Sequence, residues 1–95
     1  MYYEWDNAKA AANRHKHGVD FSDAIPALED PDRLEEIDDR FECNEARDRV
    51  IGMASGGILF VVTTMRGGDI CRVISARRAT RYEQDRYYKD DRENG

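Results

Sequence analysis

The longest uninterrupted apolar run in this chain, Ile58-Leu59-Phe60-Val61-Val62, is five residues. A membrane-spanning helix needs about 20, so no segment is expected to cross a bilayer. The first residues, MYYEWDNAK, lack a basic end followed by an apolar stretch, so they are not expected to act as a secretory signal. Histidine and cysteine are scarce, at two each, and Cys43 and Cys71 stand at no metal-ligand spacing. No metal site and no cofactor is expected. Cys43 falls in an acidic, loop-like stretch and Cys71 in a strand, so both are expected to be free thiols in a reducing cytoplasm. Ninety-five residues suffice for one domain, 1–95, around one small core. No repeat or linker divides it, and the tail from about 90 to 95 is expected to fray.

Positive charge is also in deficit. The 15 Lys and Arg face 20 Asp and Glu, for a net charge of −5. Taken alone, that balance disfavours a nucleic-acid binder. The distribution is uneven, however. Between Glu29 and Asp48 there are ten acids and three bases, whereas Arg66, Arg72, Arg77, Arg78 and Arg81 share their interval with one acid, Asp69. The molecule should have poles, and a phosphate backbone responds to the pole it meets. Arginine's planar fork of donors pairs bidentately with phosphate. Ion pairing to the acidic stretch is the competing use of any one of these arginines.

The basic cluster surrounds a hairpin. Ile58 to Val62 is β-branched and aromatic and reads as a strand buried on both faces. Gly67-Gly68 supplies the positive φ angles of a tight turn, and a second strand follows from about Asp69 to Ser75. Upstream, Arg49 to Ala54 is a strand and Leu34 to Ile37 a weak one, with a polar loop from Asp38 to Asp48 between them. Tyr2 to Trp5 reads as a first strand. Asp6 should cap a helix from Asn7 to His17 that stops at Gly18. Ser22 should cap a second helix, which ends at Asp30-Pro31. Thr80 and Glu83 have capping-box spacing, so a third helix is expected from Arg81 to Asp91. The order β-α-α-β-β-β-α predicts an α+β domain with helices on one face of an antiparallel sheet. Lys16 and His17 suit the C-terminal end of the first helix dipole. Trp5 is expected in the core.

Five segments in order resemble the BrnT toxins of bacterial type II BrnT/BrnA toxin–antitoxin systems. They are Glu4-Trp5-Asp6 with Lys9 and Asn13, Lys16-His17-Gly18-Val19-Asp20-Phe21, Glu29-Asp30-Pro31, Arg49-Val50-Ile51-Gly52, and Arg72-Val73-Ile74-Ser75-Ala76-Arg77-Arg78-Ala79-Thr80. The resemblance covers nearly the whole chain. It implies a RelE-like fold and a small cytoplasmic ribonuclease that blocks translation. It also implies a BrnA-like ribbon-helix-helix antitoxin as partner, in a heterotetramer that meets operator DNA only through the antitoxin. Many relatives carry an acid just before the arginine that ends the central strand; here that residue is Met65, which cannot take a proton.

Metal-independent RNA cleavage uses the ribose 2′-hydroxyl as nucleophile. The enzyme must accept its proton, stabilise charge on the phosphate and protonate the leaving 5′-oxygen. On this reading Arg66 and Arg77 flank the scissile phosphate, and Arg72, Arg78, Arg81 and Tyr82 bind adjacent RNA. Strict alternation would put Arg72 and Ser75 on opposite faces, so Arg72 and Arg78 are the weakest members. His17 is a candidate base by side-chain type only. The alternative from a different class is a binding module, weak or inactive as an enzyme, whose arginine face docks an acidic antitoxin segment. Direct DNA binding by the chain alone is disfavoured by its net charge and by the lack of a groove-reading helix.

Overall fold

A computed structural model of the chain describes residues 1–38 and 47–94. The elements are β1 (Tyr2–Glu4), α1 (Asn7–His17), α2 (Phe21–Leu28), β2 (Leu34–Asp38), β3 (Arg47–Ala54), β4 (Gly57–Arg66), β5 (Ile70–Arg78) and α3 (Arg81–Asn94). They form an α+β domain on one five-stranded sheet of order β1-β5-β4-β3-β2. The helices do not all lie on one face as expected, since α3 packs opposite α1 and α2, and the sheet differs from the sequence expectation in two details. Leu34 to Asp38 is a full strand with five register pairs to β3, so four strands rather than three follow the first helices. The first strand runs parallel to β5, Tyr2 opposite Ile70 and Glu4 opposite Arg72, so the sheet is mixed. Most of the expected 38–48 loop, Cys43 included, lies outside the described residues. Among the described residues, no helix is long and apolar enough to cross a membrane.

Local chemistry sets the helix ends. Asp6 accepts a hydrogen bond from the Lys9 N–H at 3.0 Å, and Gly18 stops α1 at φ 71°. Helix α2 starts two residues earlier than a Ser22 cap would set it, at Phe21 after Asp20, and Ser22 lies within it. No side chain caps its start. Burial of its apolar face holds it instead, through Phe21, Ala24, Ala27 and Leu28, at about 1.5–3 kcal/mol for each large side chain.

Helices α1 and α2 cover one face of the sheet. Val19, Phe21, Ala24, Ala27 and Leu28 meet Val50, Leu59, Val61, Val73 and Ala76 there, with Trp5 packed against them. The Trp5 ring stands edge-on to Phe21, centroids 6.1 Å apart, as expected for a core residue. Helix α2 lies so close to β3 that a Cβ built on Gly52 would be 2.2 Å from the Ala27 carbonyl oxygen. Helix α3 packs on the opposite face through Tyr87, buried with Ile51, Ile58 and Ala79. The Tyr87 hydroxyl donates to Asp30 Oδ2 at 2.6 Å, and Met53 N–H donates to the same oxygen at 2.7 Å. Burial pushes the Asp30 carboxyl up, but hydrogen bonds from Tyr87, Met53 and Asp32 outweigh it and hold the group below the usual range.

Asn13 is 7 % exposed and joins α1 to β5. Its amide nitrogen donates to the Val19 and Ala76 carbonyls at 2.9 and 2.8 Å, and its oxygen accepts from the Ala76 N–H at 3.1 Å. The side chain continues the ladder along β5 beyond β1, which pairs only as far as Arg72. Asn13→Ala leaves three buried backbone groups without a partner. We expect a loss of roughly 2–3 kcal/mol, measured by chemical denaturation. An unchanged midpoint would show that the bridge contributes nothing.

Candidate active site

The face of the sheet that α3 only partly covers carries the arginines. Along β3, period-two alternation puts Arg47 and Arg49 on this face with Ile51, while Val50 and Gly52 point to α2. Arg86 reaches the same face from α3, and these three side chains line one cleft of about 480 Å³ with Phe60, Val62 and Arg77. Glu36, Tyr82 and Glu83 complete its rim.

A bulge in β5 sets the site's geometry. Val62 pairs with Ser75 and Thr63 with Val73, so Ile74 is an extra residue on β5. Ile74 and Ser75 both line the cleft as a result. The bulge also changes which arginines share a face. Before it, Arg72 lies opposite Thr64, which pairs on its other side with Arg47. After it, Arg77 lies opposite Phe60. Arg72, Ser75 and Arg77 therefore share the cleft face. The expectation that Arg72 and Ser75 point opposite ways fails because strict alternation does not survive an inserted residue.

The other predicted residues divide. Arg66 and Arg72 stand beyond the cleft on the same face and share one carboxylate oxygen of Glu4, at 3.6 and 3.5 Å. Tyr82 is 71 % exposed at the rim. Arg81 is almost fully exposed, 4.0 Å from Asp85 one turn along α3. Arg78 lies on the α1/α2 face: its Nη1 donates to the Gly56 carbonyl at 2.9 Å, beside Gly18 and Val19. His17 ends α1, which packs on β5 from that same face, so it is not among the groups of the cleft. Met65 too is on the α1/α2 side, in a hollow of about 80 Å³ with Tyr3, Asp48, Thr63 and Cys71. There burial pushes the Cys71 thiol up, and burial followed by the Glu35 charge pushes Asp48 up. Burial and a hydrogen bond to Glu29 push Tyr3 up to about 12. An acid at position 65 would join that hollow, not the arginines.

Arg77 is held from several sides. Its Nη1 and Nη2 donate to Glu83 Oε1 and Oε2 at 2.8 and 2.9 Å, and Nη1 also donates to the Arg78 carbonyl at 3.1 Å. The guanidinium lies 4.1 Å from the Phe60 ring centroid. Glu83 in turn closes the predicted capping box. Thr80 N–H donates to Glu83 Oε1 at 2.8 Å, and Glu83 N–H donates to Thr80 Oγ1 at 3.2 Å. Burial raises the Glu83 pKa, but Arg77 and then Thr80 outweigh it and keep the carboxyl below its usual range. Across the cleft, Glu36 accepts hydrogen bonds from Arg86 and from Arg49. Arg86 is the main cause of its lowered pKa. Both carboxylates are therefore ionised at neutral pH. Among the described residues, no three His, Cys, Asp or Glu side chains gather to hold a metal ion.

Sequence reasoning missed Arg47, Arg49 and Arg86. Arg47 was counted against the acidic stretch and Arg49 was read only as the start of a strand, although Arg47-x-Arg49-x-Ile51 already carries the alternation that puts them on one face. The family described as "Ribonuclease toxin, BrnT, of type II toxin-antitoxin system" matches residues 5–83. The crystal structure of the Brucella abortus ribonuclease toxin, BrnT, is similar at 27 % identity and a TM-score of 0.62, over 85 % of this chain and 100 % of that one. No curated protein matches.

Proposed function

Because the chain belongs to the BrnT family of ribonuclease toxins of type II toxin–antitoxin systems, we propose that its arginine face binds single-stranded RNA and cleaves it, so halting translation in the cytoplasm. One observation carries the reading. Arg47, Arg49, Arg66, Arg72, Arg77 and Arg86 come from three strands and a helix onto one face of a protein with net charge −5. Arg77 sits at the scissile phosphate and stabilises the charge that builds as the 2′-hydroxyl attacks phosphorus. Arg66 and Arg72 take neighbouring phosphates along the strand. The exposed Tyr82 offers a ring on which a base can stack. Of the groups lining the cleft, the Glu36 carboxylate is the one able to take the 2′-proton. Met65, lying on the other face, takes nothing from this set, which supports an active enzyme.

The same face suits an antitoxin. Glu4, Glu36 and Glu83 already satisfy arginines with carboxylates, and acidic side chains of a BrnA-like partner can do the same in a heterotetramer. That observation also supports the second reading, a binding module without useful nuclease activity. Inducing the chain alone in cells separates the two. We expect growth arrest with loss of full-length RNA, both reversed by co-expressing the antitoxin. A folded protein that leaves growth and RNA intact would reduce the chain to a binding partner.

A further inference from the structure

We propose that Glu83 is a positioning residue that holds Arg77 by the Nη1/Nη2 end of its fork and so aims the adjacent Nε/Nη2 edge at phosphate. This rests on the nuclease reading of the cleft. An arginine has five N–H donors. On Arg77, two hydrogen bonds to Glu83 and one to the Arg78 carbonyl use both Nη1 donors and one on Nη2. The Nε donor and the second Nη2 donor have no acceptor among the described residues. These two lie along a single side of the guanidinium, the spacing that takes two oxygens of one phosphate. The Phe60 ring, 4.1 Å below, fixes the plane. The carboxylate fixes rotation within that plane.

Glu83 is itself fixed. Its side chain is 13 % exposed, and the Thr80 N–H holds Oε1 at the start of α3. A helix cap and an arginine clamp are thus one carboxylate. The residue contributes no donor or acceptor to the reaction. It acts through Arg77, and a guanidinium displaced by about 1 Å costs on the order of a hundredfold in rate.

Glutamine separates the two roles. In a capping box Gln serves as well as Glu, so Glu83→Gln keeps the cap and loses the ionic clamp. Thr80→Ala does the reverse, removing the hydroxyl that accepts from Glu83 N–H while the carboxylate stays on Arg77. The test measures the initial rate of cleavage of a single-stranded RNA transcript, with and without ribosomes, by purified variants whose folding is checked by thermal melts. Glu83→Gln is expected to fall roughly ten- to a hundredfold, and Thr80→Ala to stay within about threefold. In an Arg77→Lys background, Glu83→Gln should add less than about twofold, because both changes act through one fork. Glu83→Gln at the wild-type rate, or an undiminished effect in the Lys background, overturns the positioning role alone. A wild type that cuts neither substrate overturns the nuclease reading and this proposal with it.

Discussion

Arg77→Ala is expected to lower RNA cleavage by roughly 10²–10³-fold in a protein that still folds, as removal of one preorganised donor does at an oxyanion site. Arg77 is fixed in the cleft by both a bidentate carboxylate and a ring face. Its loss leaves Glu83 bonded to the Thr80 N–H, so α3 keeps its cap. Arg77→Lys keeps the charge without the fork, and its rate should fall between wild type and alanine. The adjacent Arg78 supplies the contrast. It lies on the other side of the sheet against Gly56, and Arg78→Ala should change cleavage by less than about threefold. Equal losses at 77 and 78 would mean that total charge, not geometry, drives the activity. Rates on one RNA transcript at fixed salt decide between these outcomes.

Gly52→Ala is expected to destabilise the fold by about 4 kcal/mol or more, beyond the usual 1–3 kcal/mol for overpacking. The added methyl would meet the Ala27 carbonyl oxygen at 2.2 Å and the carbonyl carbon at 2.9 Å. Both atoms are backbone, so no rotamer change relieves the clash; α2 must move off β3. That helix carries Phe21, Ala24, Ala27 and Leu28 in the core, and its displacement opens the core above Val50 and Leu59. At about 4–8 °C per kcal/mol for a domain of this size, the melting temperature should drop by roughly 15 °C or more. Ala27→Gly should not rescue it, because the offending oxygen remains. Gly56→Ala is the control: nothing lies nearer its Cβ than Arg78 Nη2 at 4.0 Å, and its melting temperature should hardly change. A Gly52→Ala protein that melts with wild type would show that α2 slides freely on the sheet.

Local signals in the sequence carried much of this structure. Asp6, Gly18 and the Thr80–Glu83 box mark helix ends because capping depends on residues within a few positions of one another. Gly67 and Gly68 mark the hairpin because both adopt positive φ, at 66° and 92°. What escaped depends on distant partners. Leu34 to Asp38 reads weakly alone and becomes a strand because β3 lies beside it. The parallel β1–β5 pair joins segments from opposite ends of the fold. The site was legible in part. Arg77 and its neighbours stood out as a cluster, but a linear count of charge cannot see that Arg47 and Asp48 leave the strand on opposite faces. Nor does any local signal announce that Ile74 is the extra residue that turns Arg72 and Arg77 the same way.

The place of β1 has a consequence for a toxin as it is being made. Tyr2–Glu4 is synthesised before every other element, yet its neighbour β5 is synthesised after every other strand. Asn13 likewise waits for Ala76. Helix α2 can settle on β3 earlier, but α1 packs on β5 and has to wait for it, and contacts so remote along the chain form slowly. Arg77 and Glu83 meet only at the end of this sequence of events. On the nuclease reading proposed above, the cleft is therefore complete only once the last strand and α3 have been made and have docked.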